Sequence, residues 1–123
     1  MTVRRDRVRD LAVQAAGALA ILVALTHGTL AELRVFPAAR IEPPRTRRLL
    51  RLLWQAGTVD WIGMGVLLRA SPLFGSQLAR HWVVAIAICV YASAAAANAL
   101  AIRRMHPGWL TMSCVVGLAL AGL

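Results

Sequence analysis

The sequence predicts an all-α protein, a polytopic membrane bundle of four transmembrane helices, and three observations carry that reading. Four apolar stretches, at about Leu11 to Leu33, Leu49 to Leu68, Trp82 to Ile102 and Pro107 to Leu123, fill most of the 123 residues. Almost every charge falls between them. Hydrophobic residues make up 59% of the chain and charged residues 15%, with a mean hydropathy of +0.66. A soluble domain carries about 25% charged residues and at this size hides only about 60 to 70% of its surface, so lipid is expected to cover the remainder.

The first stretch follows Arg4, Arg5, Arg7 and Arg9 and ends near Thr29-Leu30-Ala31, which looks weakly like a signal-peptide cleavage site. Asp6 and Asp10 interrupt the basic region, and the apolar run exceeds the usual signal length of about 7 to 15 residues, so a retained span is expected. The connection from Arg34 to Arg48 holds Pro37, Pro43 and Pro44, which should prevent one helix from running through it. In the second stretch Arg45, Arg48 and Arg51 recur every three residues with leucines between them, the pattern of snorkelling arginines at a helix start. Ala70-Ser71-Pro72 should end that helix. The third is expected to begin near His81-Trp82 and the fourth at His106-Pro107-Gly108-Trp109, with proline in the first turn it favours.

A span needs about 20 residues with its backbone groups satisfied internally, so each stretch reads as a helix, the short fourth one ending at the far interface with little tilt. No period-two alternation is present, which excludes a membrane β-barrel. No internal repeat or low-complexity linker is visible, and residues 1–123 read as one domain.

The formal charge of +9 and pI near 11.7 would point to nucleic acid in a soluble chain. Here every basic residue is arginine and sits at a segment end, so lipid phosphate is the expected partner, above all for Arg45, Arg47, Arg48 and Arg51, and nucleic acid is not. The side holding the N-terminus and second loop has six arginines and the other side eight, a bias too small to fix orientation. Cys89 lies about 14 residues and Cys114 about 7 from the loop joining their segments, an offset on the order of 10 Å at about 1.5 Å per residue. That argues against a disulfide, which needs Cα atoms within about 7 Å, and both read as small packing residues.

Ionisable and polar groups inside the apolar stretches are the candidates for chemistry. Asp60 follows Arg51 by nine residues, which places it about 13 Å down the second helix and near mid-membrane, either as a buried proton or cation site or as a hydrogen-bonded group holding helices together. Alternating helix direction brings His27, Glu32, Asn98 and His106 toward one membrane face and His81 toward the other, and a ligand pocket among them is expected. His27 and Glu32, five residues and about 140° apart, cannot both point straight at one ligand on a regular helix.

His27 with His106 is the one pair suited to ligating haem b or a metal through imidazole nitrogen, set against ordinary hydrogen-bonded interfacial histidines; no metal site is expected. Trp54, Trp82 and Trp109 suit an aromatic belt, whereas Trp61 lies too deep for one and should pack on the core or wall a pocket beside Asp60. Small residues at Ala92, Ser93, Ala95, Ala96 and Ala99 on the third helix, and at Gly57, Gly63 and Gly65 on the second, suit close helix packing. No nucleophile elbow, phosphate loop, zinc spacing or HExxH is present, so no catalytic residue is assigned and an enzyme is not expected.

The run Thr26-His27-Gly28-Thr29-Leu30-Ala31-Glu32, the stretch from Arg51 through Trp54 to Trp61, and His106-Pro107-Gly108-Trp109 together resemble a group of short uncharacterised bacterial four-helix membrane proteins. In that group a histidine and a nearby glutamate end the first helix, paired tryptophans mark the second, and a histidine opens the fourth. The resemblance spans nearly the whole chain and implies a fold and no activity; the expected location is the bacterial inner membrane, crossed several times. The sequence departs from the group after Trp54, where Gln55 replaces an expected histidine.

The expected function is that of a small, non-catalytic accessory or structural subunit of a larger membrane assembly, with other membrane helices or a second copy as partners. The alternatives are a proton-coupled transporter using Asp60 and a redox subunit holding haem between His27 and His106. The transporter reading is similar in size and layout to the small multidrug-resistance proteins, which keep their essential glutamate within the first helix, whereas here Glu32 lies at its end.

Overall fold

In a computed structural model, which describes residues 2–123, every regular element is helical. Helix α1 (Thr2–Leu30) takes in the arginine-rich start and continues through a π-helical turn (Ala31–Val35) and a last short turn (Phe36–Ala38). Helix α2 (Pro44–Ala70) passes into a 3₁₀ turn (Ser71–Leu73), and α3 (Gln77–Ile102) and α4 (Pro107–Ala121) complete the chain.

Pro37 was expected to break the first connection, but the helix runs past it and only residues 39–43 lie outside helix. The widened turn explains this. The Phe36 N–H bonds to the Ala31 carbonyl, one residue further back than in an α-helix, so the ladder has already opened where the proline ring would collide with the preceding turn. Two other starts come earlier than the apolar runs suggest. Pro43 and Pro44 begin α2 rather than delaying it, with proline at the first position, so Arg45, Arg47 and Arg48 lie in the helix. Ser76 caps α3 by accepting from the Ala79 N–H at 3.2 Å, which moves its start ahead of His81. Helix α4 begins where the sequence places it, and the side chain of His106 is its cap.

The four helices alternate in direction around a ring. Helix α1 packs closely on α2 and α4, α4 packs on α3, and the α2–α3 seam is the loosest. At one end Asp10, Arg80 and Gly122 come together: the Arg80 guanidinium pairs with the Asp10 carboxylate at 2.5 Å and donates to the Gly122 carbonyl at 3.1 Å. A continuous core rises from that end through Val13, Ala16, Ala20, Leu68, Val84, Ala87, Tyr91 and Val115. Tyr91 bridges the seam, donating its hydroxyl to the Trp61 carbonyl at 2.7 Å.

Beside large buried side chains such as Tyr91, Leu68 and Met112, alanine takes much of the interior. Alanines 16, 20, 24, 31, 87, 95 and 119 are buried, while Leu22, Leu52, Leu53, Val59, Trp82 and Leu100 are each more than half exposed. So many buried alanines beneath exposed leucines and valines are expected where close backbone approach drives packing. Gly65 belongs to it, standing against Gly17 of α1, but Gly57 and Gly63 face open space and pack on nothing. Cys89 and Cys114 are free and exposed, so they do not fill gaps inside the bundle.

Two helices are long and apolar enough to cross a membrane: α1 with its continuation (Val3–Ala38), and α3. The other two expected spans fall short of that measure. Helix α2 carries Arg45, Arg47, Arg48, Arg51, Asp60 and Arg69, and α4 has only 15 residues.

Candidate functional site

The half of the bundle opposite the Asp10–Arg80 pair encloses a cavity of about 640 Å³ between α1, α3 and the start of α4. Its walls are mostly apolar, with Leu19, Leu22, Val23, Ile102 and Met112 among them. The polar side chains on it are Thr26, His27, Arg34, Asn98, His106 and Thr111, with the Trp54 indole. Three of the sequence-predicted residues, His27, Asn98 and His106, therefore share one wall system, while His81 lies at the other end beside Arg80, its Nδ1 2.8 Å from the Gln77 carbonyl.

His27 is held by a device that spacing alone does not reveal. Its imidazole stacks on the Trp54 indole at 4.5 Å and 9° and meets Trp61 at 4.8 Å and 34°. Trp54 and Trp61 are seven residues apart, two turns on one face of α2, and about 10 Å of rise accommodates one flat ring between them. Phe36 closes the outer edge, meeting Trp54 edge-on at 5.8 Å, and Tyr91 meets Trp61 edge-on at 6.3 Å. Trp54 was expected in an interfacial belt. Instead it is half-buried against His27, and its Nε1–H is buried with no hydrogen-bond partner.

His106 has its hydrogen bonding divided between fold and cavity. Its Nδ1 accepts the Gly108 N–H at 3.0 Å, which caps α4, so the ring proton resides on Nε2. A bis-imidazole ligand set for haem b does not fit that assignment, because Nε2 would have to offer a lone pair. Asn98 is half-buried and donates one amide N–H to the Ala94 carbonyl at 2.9 Å, leaving its oxygen and second N–H unbonded. Among the described residues no group of three or more His, Cys, Asp or Glu could hold a metal ion.

Two predicted members lie elsewhere. Glu32 turns away from His27 into a shallow outer groove with Gly28 and Thr58. There it pairs with Arg51, which donates through Nε at 3.0 Å, and accepts from Gln55 at 2.7 Å. Asp60, expected to be buried, is exposed on the outer face of α2. The reason is geometric: Thr58 and Gly65 face α1, and Asp60 is about 140 to 160° around the helix from them. Trp61 accordingly packs against His27 and Tyr91 and walls no pocket beside Asp60.

Of the four arginines assigned to lipid, Arg51 is held by Glu32 and Arg47 donates to the Phe36 carbonyl at 2.5 Å. Arg45 and Arg48 are exposed with no hydrogen bond or ion pair to another described residue. Ala92, Ala95, Ala96 and Ala99 line a groove of about 300 Å³ with Trp109 on the α3–α4 face, where Ala95 is buried and Ala92 and Ala96 are exposed. Compared with models of protein families, with curated proteins and with solved structures, the chain has no match.

Proposed function

We propose that this chain is a four-span protein of a bacterial inner membrane, acting as a non-catalytic subunit that assembles with other membrane helices or with a second copy of itself. The observation that carries this reading is the position of Asp60. It stands on the outer face of α2, beside Val59 at 66% exposure, with no hydrogen bond or ion pair to another described residue. Facing acyl chains it would cost about 2.5 to 3.5 kcal/mol at mid-span, and a donor from another helix removes that cost.

The outer face supports lipid surroundings for the bundle, because so extensive a shell of exposed leucine and valine is costly in water, while the buried alanines let the helices approach closely. The charges that keep α2 from reading as a free-standing span lie mainly at its ends, Arg45 to Arg51 and Arg69, where they can reach phosphate. Helix α4 is short because it starts at its proline, and a locally thinned bilayer accommodates it.

The test is assembly of the full chain in mild detergent, read by light scattering and by identifying co-purifying proteins. The wild-type protein should run as an oligomer or with a defined membrane partner, and Asp60→Leu should release it while leaving its melting temperature unchanged or raised. A wild-type protein that runs alone, or an Asp60→Leu variant that keeps the same partner, overturns the reading.

A further inference from the structure

We infer that the cavity beside His106 is a binding site for a lipophilic small molecule whose head presents carbonyl or carboxylate oxygens, such as a prenyl-type quinone or a free fatty acid. The inference rests on the proposed membrane location only for how such a ligand arrives. Its chemistry comes from the walls.

Besides Asn98, three groups on those walls have hydrogen-bonding capacity that the fold does not use. His106 spends Nδ1 on the Gly108 N–H, so its Nε2 is a fixed N–H donor. Trp54 has a buried indole N–H without a partner. A buried donor left unbonded is expensive, and a ligand oxygen would satisfy it once the indole turned its N–H toward the cavity. His27 makes no hydrogen bond to another described residue, although its ring is fixed between two indoles, so orientation is already provided for a contact through nitrogen.

The rest of the surface selects for an apolar body. Leu19, Leu22, Val23, Ile102 and Met112 line the wall, and about 640 Å³ is within the range of sites for small molecules. Metal coordination is disfavoured by the same bond that creates the donor, since Nε2 has no lone pair while Nδ1 caps α4. The cavity therefore recognises an acceptor and not a cation. Arg34 on its wall distinguishes the two sources, because a guanidinium would add to binding of a carboxylate head and little to that of a neutral quinone.

The experiment uses the full chain in lipid nanodiscs, with tryptophan fluorescence as the readout and a decyl-tailed benzoquinone and oleate as probes. Trp54 is on the wall, so occupancy should quench emission in a saturable way. Three variants separate the site from the fold: Trp54→Phe keeps a ring against His27 but removes the N–H, His106→Asn keeps a helix cap but removes the Nε2 donor, and His81→Asn is the control at the far end. Because Trp54→Phe removes a reporter, its binding is read by competition with tritiated probe.

Saturable binding of either probe by the wild type, weakened about 5- to 10-fold in each of the first two variants and unchanged in His81→Asn, supports the site. Oleate bound more tightly than the quinone, and weakened by Arg34→Gln, identifies the acyl source; quinone bound more tightly than oleate, and indifferent to Arg34→Gln, identifies the other. Binding of neither probe, or equal binding by folded Trp54→Phe and His106→Asn, overturns the proposal. A Soret band in the purified protein that is lost in His106→Asn also overturns it, by showing Nε2 to be a ligand. None of these readouts requires the partner sought through Asp60, so failure here and failure of assembly are separate results.

Discussion

Gly17 and Gly65 meet backbone to backbone where α1 crosses α2. A methyl group on Gly17 would stand 2.5 Å from the Gly65 carbonyl oxygen, and one on Gly65 would stand 3.0 Å from the Gly17 carbonyl oxygen. Carbonyls cannot yield as flexible side chains do, so the helices themselves would have to separate. The same crossing positions Trp54 and Trp61 on either side of His27.

Gly17→Ala should therefore lower stability by about 1 to 3 kcal/mol, the usual range for overpacking. Gly63→Ala, with nothing within 4 Å, should be neutral or stabilising by about 0.5 to 1 kcal/mol through helix propensity. Thermal unfolding in one detergent, comparing both variants with wild type, checks the contrast. Equal melting temperatures for the two would mean that α1 and α2 are not this close.

At the far end, Arg80 joins three helices through Asp10 and the Gly122 carbonyl, with its side chain only 12% exposed. Asp10→Ala removes the carboxylate and leaves the guanidinium largely buried, so a loss of about 1.5 to 3 kcal/mol is expected. Replacing both residues, Asp10→Ala with Arg80→Met, should recover part of that loss because no stranded charge remains. A double-mutant cycle on thermal unfolding reads the coupling, and additive losses would count against the pair.

Tyr91 is the hydroxyl that closes the loose α2–α3 seam. Tyr91→Phe keeps the ring against Trp61 but removes the bond to its carbonyl, for a loss of about 1 kcal/mol. Proteolysis or cysteine crosslinking between α2 and α3 should show the seam opening more often, while the α1–α2 crossing is unchanged. A variant with wild-type crosslinking would place the closure elsewhere.

The helical class and the fourth helix's start were legible because hydropathy, proline position and charge placement are local signals. Pro107 behind a capping residue is enough to begin a helix. Pro37 misled for the opposite reason: whether a proline ends a helix depends on the backbone before it, and the π turn leaves no residue-type signature in Ala31–Val35. At the site, helix direction brought His27, Asn98 and His106 to one end from spacing alone. It could not show that Trp54 leaves the interface to stack on His27, since that needs the rotation of α2 about its axis. The stripe Trp54–Thr58–Trp61–Gly65 carried the information, but only Gly17, on another helix, says which way the stripe faces. Asp60 is exposed and not buried within the bundle on the same account: its place along α2 is readable from the sequence and its azimuth is not.

The π turn has a consequence for how this sequence can change length. By closing its bond one residue late, it stacks Phe36 roughly above Ala31, and both are buried, whereas α-helical winding would put them about 140° apart. The turn thus stores a single-residue insertion without disturbing the helix before it. Deleting one residue from 32–35 would return the segment to ordinary winding with Phe36 four residues after Ala31, leave His27 where it is, and keep Phe36 on the same face, about 40° from Ala31 and against the Trp54 edge. The end of α1 can therefore lose a codon at that point and keep its facing, because the π turn already holds the extra residue.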